Sequence, residues 1–313
     1  MRFEPREDAI RLTQVSRWYG PVIGLNDVSL TVASGVTGLL GPNGAGKSTL
    51  LRLVTGQITA SLGEVRVLGE PVFQNPNVLQ HVGCCPDMEK FNDEWTGFAF
   101  VRAAAYLCGF SSSGAAARAR DLLEQVGLTD AADRAIGSYS KGMRQRVKLA
   151  QALVNDPEVI IFDEPLTGMD PVGRRQMVDL VRGFGAEGRC VLVSSHVLHE
   201  VEAMTDNVVL IHHGRVLAEG RVHEIRSLLE GYPHHVRIEL GDGRPPKALA
   251  ERLVADVDLV GLRFEDDGLT VETTTPDTLF STLEGLVLDD GFDVRRLYTR
   301  DDSLEAVFDY LVH

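Results

Sequence analysis

The stretch "LLGPNGAGKSTLLRLVTG", Leu39 to Gly56, sets three glycines and a proline within six residues and then runs into a lysine, two hydroxyls and an apolar helical pattern. Glycine at 41, 44 and 46 admits backbone angles closed to other residues and lets successive N–H groups converge on an anionic oxygen. A helix starting near Lys47 would point its positive end at the same place. Gly41, Pro42, Asn43, Gly44, Ala45, Gly46, Lys47 and Ser48 together spell GxxxxGK[ST], the phosphate-binding loop pattern. In it the lysine reaches terminal phosphates and the Ser48 hydroxyl ligates Mg²⁺, with Thr49 a further phosphate donor.

Further along, "VIIFDEP" places Asp163 and Glu164 directly after an apolar run, at the carboxyl end of a buried strand, where ligands of open α/β sheets collect. Alone, two such carboxylates could be a solvated acidic turn. Beside a phosphate loop they suit in-line phosphoryl transfer, with Asp163 holding the Mg²⁺ shell through water and Glu164 accepting a proton from the attacking water.

Between about Ile10 and Ile225, Val/Ile/Leu runs (Val36 to Leu40, Val159 to Phe162, Cys190 to Val193, Val208 to Ile211) alternate with helical stretches. That is the pattern of strands buried on both faces of a largely parallel sheet. The Ala- and Arg-rich segment 89–151 breaks the rhythm and is expected to be a mostly helical subdomain. After "LEGYPHH" the order of elements becomes β-α-β-β-α-β with a last helix over "SLEAVFDYLV", which predicts a small ferredoxin-like α+β domain. The expected organisation is a nucleotide-binding domain at 1–230 and an accessory or regulatory domain at 231–313.

The chain has 313 residues, a formal net charge of −14, and 44% hydrophobic and 24% charged residues. So acidic a chain offers no broad footprint for nucleic acid. Its charged start and the lack of an apolar run near the ~18 residues of a membrane span predict a soluble, cytoplasmic chain. Four cysteines make no disulfide framework, and they are expected to be ordinary buried thiols.

Three further segments carry a resemblance. "YSKGMRQR" (Tyr139 to Arg146) resembles the signature motif of ATP-binding cassette (ABC) proteins, "LTGMDP" (Leu166 to Pro171) their D-loop, and "VLVSSHVLHEVE" (Val191 to Glu202) their switch segment. The subgroup it resembles most is the ATPase subunits of drug-, polysaccharide- and sodium-exporting systems. The resemblance implies a P-loop NTPase cassette that hydrolyses Mg-ATP, with adenine stacked on Tyr19 and His196 touching the γ-phosphate. It also implies a composite site in which Ser140, Gly142 and Asp170 of one chain face the nucleotide of a second. The transmembrane permease would be a separate chain, holding this one at the cytoplasmic face of the membrane. Ser140 and Gly142 open a helix, so free N–H groups there could face an anion, although Ser140 also reads as a plain N-cap. One position departs from the family: Asp87 stands where a metal-ligating glutamine is usual, bringing a charge and a shorter reach to the Mg²⁺. A soluble non-transport ATPase and a regulatory nucleotide-binding cassette stay open as alternatives. Trp95 and Phe98 are expected in core or interface packing.

Overall fold

The computed structural model describes residues 3–87, 91–227, 234–241, 245–265 and 267–299. The chain divides into two compact units, residues 1–222 and 223–313.

The first unit opens with β1 (Ile10–Tyr19), β2 (Val22–Val32) and β3 (Gly35–Leu40), followed by α1 (Lys47–Val54). Then come β4 (Leu62–Val67), β5 (Glu70–Pro71), α2 (Pro76–Leu79) and β6 (Val82–Cys85). The helical stretch supplies α3 (Gly97–Leu107), α4 (Ser112–Gln125) and α5 (Lys141–Ala152), with short 3₁₀ turns at Thr129–Ala131 and Ile136–Ser138. The unit is completed by β7 (Val159–Asp163), α6 (Pro171–Ala186), β8 (Cys190–Ser195), α7 (Leu198–Glu202), β9 (Asn207–His212) and β10 (Arg215–Arg221), and α8 (Val222–Ser227) follows.

Six strands form the central sheet in the order β10-β9-β3-β8-β7-β6, parallel throughout except at β10. Every residue of β8, and every residue of β7 up to Phe162, is buried, because both faces are covered. Alternate side chains of β7 go to opposite sides. Ile160 and Phe162 pack with Met177, Val181 and Phe184 of α6 and with the helical stretch. Val159 and Ile161 pack with Leu50, Leu53 and Val54 of α1 and with a second sheet.

That second sheet, β2-β1-β4-β5, is antiparallel throughout. Its alternation is plain in β2, where Val28, Leu30 and Val32 are buried and the residues between them exposed. Sequence reading expects a mixed, largely parallel sheet core, which agrees with the central sheet but does not separate out this layer. Bulges between Leu12 and Val15 and again near Arg17 break the period of β1, which obscures the antiparallel layer.

Cys85 and Cys190 are buried and Cys84 partly so, and burial pushes the Cys84 thiol up to about 11 and that of Cys190 to about 12. Cys108 corrects the expectation for the cysteines: it follows the last residue of α3 and is exposed. Of the two aromatics expected in core or interface packing, Phe98 packs against the core, whereas Trp95 is 44% exposed.

The second unit contains β11 (His234–Leu240), α9 (Pro246–Asp256), β12 (Leu259–Glu265), β13 (Gly268–Thr273), α10 (Pro276–Leu288) and β14 (Val294–Thr299). Its sheet runs β12-β13-β11-β14 and is fully antiparallel, the strand order of a ferredoxin-like β-α-β-β-α-β unit. Leu249 and Leu253 of α9 and Leu279, Leu283 and Leu286 of α10 join Val236, Ile238, Leu269 and Val271 in one core, so both helices cover the same face. The helix expected over "SLEAVFDYLV" lies outside the described residues.

Candidate nucleotide site at the carboxyl edge of the central sheet

Parallel register brings three strand ends together. Leu40 pairs with Ser195 and Asp163 with Ser194, so the loop after β3, the carboxylates after β7 and the serines ending β8 share one edge. From Leu40 the chain turns through residues 41–46 into α1. Gly46 caps that helix at φ 111°, and a Cβ there would stand 2.7 Å from the Gly24 carbonyl oxygen. At Gly41 a Cβ would meet the Ile211 carbonyl oxygen at 2.3 Å. Glycine is needed at both. Behind the loop the β9–β10 turn braces it: the Gly214 N–H donates to the Ala45 carbonyl, and the Asn26 N–H donates to the Gly214 carbonyl, each at 2.8 Å. No side chain caps α1, which leaves its leading N–H groups for another acceptor.

The loop borders a cavity of about 340 Å³, bounded by Tyr19 and residues 22–24, by residues 42–49, and by Asp87, Asp163 and Glu164. That volume lies within the usual range for small-molecule sites. Lys47 is 6% exposed. Its Nζ donates to the carbonyl oxygens of Gly41 at 2.6 Å and Pro42 at 3.4 Å, and stands 3.4 Å from Glu164 Oε1. The buried lysine therefore ties the loop to the carboxylate at the end of β7.

A single hydroxyl organises the two acids. Ser194 Oγ donates to Asp163 Oδ1 at 2.6 Å and accepts from the Glu164 N–H at 3.0 Å. Asp163 Oδ2 accepts from Ser48 Oγ at 3.5 Å, which puts a hydroxyl and a carboxylate side by side as hard oxygen donors. Glu164 holds φ 50°, a left-handed backbone unusual for a residue with a side chain, and such strain costs about 1–3 kcal/mol and gathers at functional sites. Its Oε2 lies 2.9 Å from His196 Nδ1 and 3.5 Å from Thr167 Oγ1. Both carboxylate oxygens are thus engaged, one toward Lys47 and one toward His196.

Tyr19 is 39% exposed, with the Arg17 guanidinium 5.0 Å from its ring centroid. Asp87 is exposed on the cavity rim, and the carbonyls of Pro86 and Asp87 accept from Lys148 Nζ of α5 at 2.7 Å and 3.4 Å. Ser140, Gly142 and Asp170 do not line this cavity. They gather elsewhere: Ser140 Oγ caps α5 by accepting from the Met143 N–H at 3.3 Å, and Asp170 caps α6 by accepting from the Gly173 N–H at 3.4 Å. A methyl on Gly142 would stand 3.3 Å from Met169 Cε and 4.0 Å from Asp170 Oδ1.

Sequence reading misses Val22, Ile23 and Gly24 on the cavity wall and Ser194 between the acids. The serine is legible only as part of "SSH"; its partner at Asp163 follows from strand register, which no local pattern encodes.

A P-loop feeding an uncapped helix, with two carboxylates at the end of β7, separated from β3 only by β8 in the same parallel sheet, defines a nucleoside-triphosphatase of the P-loop class. The ABC transporter family model matches residues 25–167. The chain is 34% identical over 304 residues to the Nod factor export ATP-binding protein I of Rhizobium sp. (strain N33), covering 96% of this chain and 95% of that protein. It is 35% identical over 249 residues to the daunorubicin/doxorubicin resistance ATP-binding protein DrrA of Streptomyces peucetius, 79% of this chain and 74% of that one. Among solved structures, a nucleotide-free ATP-binding cassette from an ABC transporter superposes with a TM-score of 0.65 at 26% identity, covering 71% of this chain and 95% of that chain. The chain belongs to the ABC transporter family, as an ATP-binding subunit, and is an ATPase. Among the described residues no helix is long and apolar enough to cross a membrane.

Proposed function

We propose that this chain hydrolyses Mg-ATP, as a dimer, to drive export through a separate integral-membrane permease that holds it at the cytoplasmic face of the membrane. The observation that carries the reading is Glu164, fixed between Lys47 and His196 and joined to Asp163 through Ser194 at the mouth of the cavity. Residues 41–49 cradle the phosphates, Lys47 turns from the loop carbonyls to the terminal phosphates, and Tyr19 stacks on adenine. The all-oxygen set of Ser48, Asp163 and Asp87 suits Mg²⁺, which when bound offsets charge on the phosphate oxygens. Glu164 takes the proton of the attacking water as its oxygen bonds to the γ-phosphorus and the bond to the leaving ADP oxygen breaks. His196 steadies the γ-phosphate and the carboxylate together. Ser140 and Gly142, which do not line their own chain's cavity, serve the γ-phosphate of a second copy, with Asp170 at the same closure surface. Export rather than another use of ATP is supported by the names of the two relatives above.

Glu164→Gln keeps size and hydrogen bonding but removes the proton acceptor, so ATP should bind and stay. A dimer should then accumulate in light scattering with Mg-ATP and dissolve with ADP, because nucleotide that binds the associated state more tightly than the single chain stabilises that state by mass action. A Glu164→Gln protein that hydrolyses ATP at the parent rate removes Glu164 from the reaction. One that is inactive yet monomeric at saturating Mg-ATP overturns the composite site.

A further inference from the structure

Glu200 is a carboxylate on the short helix α7, only 8% exposed, and none of the chemistry above uses it. A buried carboxylate is costly unless both oxygens find partners. Glu200 Oε1 lies 3.2 Å from Arg174 Nη1 on α6, and Oε2 accepts from Ser195 Oγ at 3.1 Å. Ser195 Oγ in turn accepts from the Val197 N–H at 3.0 Å. The residue enclosed by that hydroxyl's two attachments is His196, whose Nδ1 meets Glu164. On the other side, Arg174 Nε donates to the Met169 carbonyl at 3.1 Å, and the Met169 N–H donates to the Leu166 carbonyl at 3.2 Å. Met169 also faces Gly142 at the start of α5.

We infer that Arg174 and Glu200 are positioning residues that lock the His196 turn to the loop 166–170, so that His196 meets Glu164 only while that loop keeps its place. The inference rests on the reading of Glu164 and His196 given above. Each link is a directional hydrogen bond or a charged one, and the guanidinium aims its donors two ways, at the loop and at the carboxylate. Its planar fork reaches the carbonyl and the carboxylate from two different nitrogens, Nε and Nη1, whereas a lysine here would have to bring one nitrogen within reach of both. Arg174 is itself 42% exposed at its side chain, so its removal leaves no cavity, and the helix it sits on has its own cap at Asp170. The consequence lies in placement: losing the link frees the His196 turn, and a misplacement of this kind costs roughly 10- to 100-fold in rate.

The test uses the purified full chain, comparing Arg174→Ala, Arg174→Lys, Glu200→Gln and the Arg174→Ala/Glu200→Gln pair by steady-state ATP hydrolysis, nucleotide titration and thermal melting. The expected result is a kcat lowered roughly tenfold or more in each single variant, KM for ATP within about twofold of the parent, no rescue by lysine, and a double variant no slower than the worse single one. Parent-like kcat in Arg174→Ala overturns the inference. So does a fall in kcat matched by weaker binding and a lower melting temperature, which would make the pair a structural salt bridge only. Glu164→Gln run alongside separates the two readings: full activity there defeats the site assignment, whereas an inactive Glu164→Gln beside a fully active Arg174→Ala defeats only the link.

Discussion

Two helices of the first unit begin in opposite ways. α1 begins at Gly46 with no side-chain cap, and α5 begins at Ser140 with its own hydroxyl on the Met143 N–H. The first leaves its N–H groups open in a walled cavity that already contains Lys47 and the carboxylates of Asp87, Asp163 and Glu164. The second satisfies one of its N–H groups internally and borders no part of that cavity. The difference teaches that one chain carries an open helix start walled into a cavity and a second, self-capped helix start outside it. In the function proposed above, the second helix start becomes a ligand site when another chain presents its nucleotide.

The sharpest way to break this comparison is Gly46→Ala. The φ of 111° and the 2.7 Å approach to the Gly24 carbonyl allow no methyl, so the loop must move. Nucleotide affinity should fall by about 100-fold or more, with about 1–3 kcal/mol lost from stability. Titration with a fluorescent ATP analogue and thermal melting check both, and wild-type affinity in the variant would show that the cradle does not depend on this backbone.

Ser140→Ala is intermediate. Loss of an N-cap costs about 1 kcal/mol, or about 2–4 °C in melting temperature for a domain of this size. ATP affinity of the single chain should be unchanged, while the ATP-driven dimer weakens by roughly tenfold. Reduced ATP binding by the monomer would place Ser140 in its own chain's site and erase the contrast.

The smallest effect is expected from Gly142→Ala. Gly142 has no positive φ, and the nearest atom to a new methyl is the flexible end of Met169 at 3.3 Å. Glycine to alanine inside a helix gains about 0.5–1 kcal/mol, close to what the contact takes back, so the melting temperature should stay within about 2 °C of the parent. A large drop would mean that α5 begins as tightly packed as α1.

Much of this is readable in the amino-acid sequence. The glycine spacing before Lys47 announces the turn into α1, "VIIFDEP" announces a strand ending in two acids, and Ser140 heads the helix that its position suggests. The antiparallel layer is hidden because the bulges in β1 interrupt its alternation. Ser194 is hidden because its role depends on the register between β7 and β8, a contact between residues far apart in the chain. Lys47 reads in sequence as the cation that reaches out to terminal phosphates. It is buried instead, since the loop's carbonyls and Glu164 gather around it, and that inward fold depends on three segments meeting.

The turn at Gly214, which grips the phosphate loop through the Ala45 carbonyl and is itself gripped by Asn26, has a consequence for binding entropy. Ordering a loop residue costs about 1–2 kcal/mol of backbone freedom, and a glycine-rich loop costs most of all. Here that ordering is completed when the sheets assemble, because the brace belongs to β2 and the β9–β10 hairpin. In the function proposed above, an arriving nucleotide finds its donors already in register, and its interaction energy goes into affinity with little spent on conformational search. Calorimetry on the full chain should accordingly show ATP association without the large unfavourable entropy that accompanies folding a loop around its ligand.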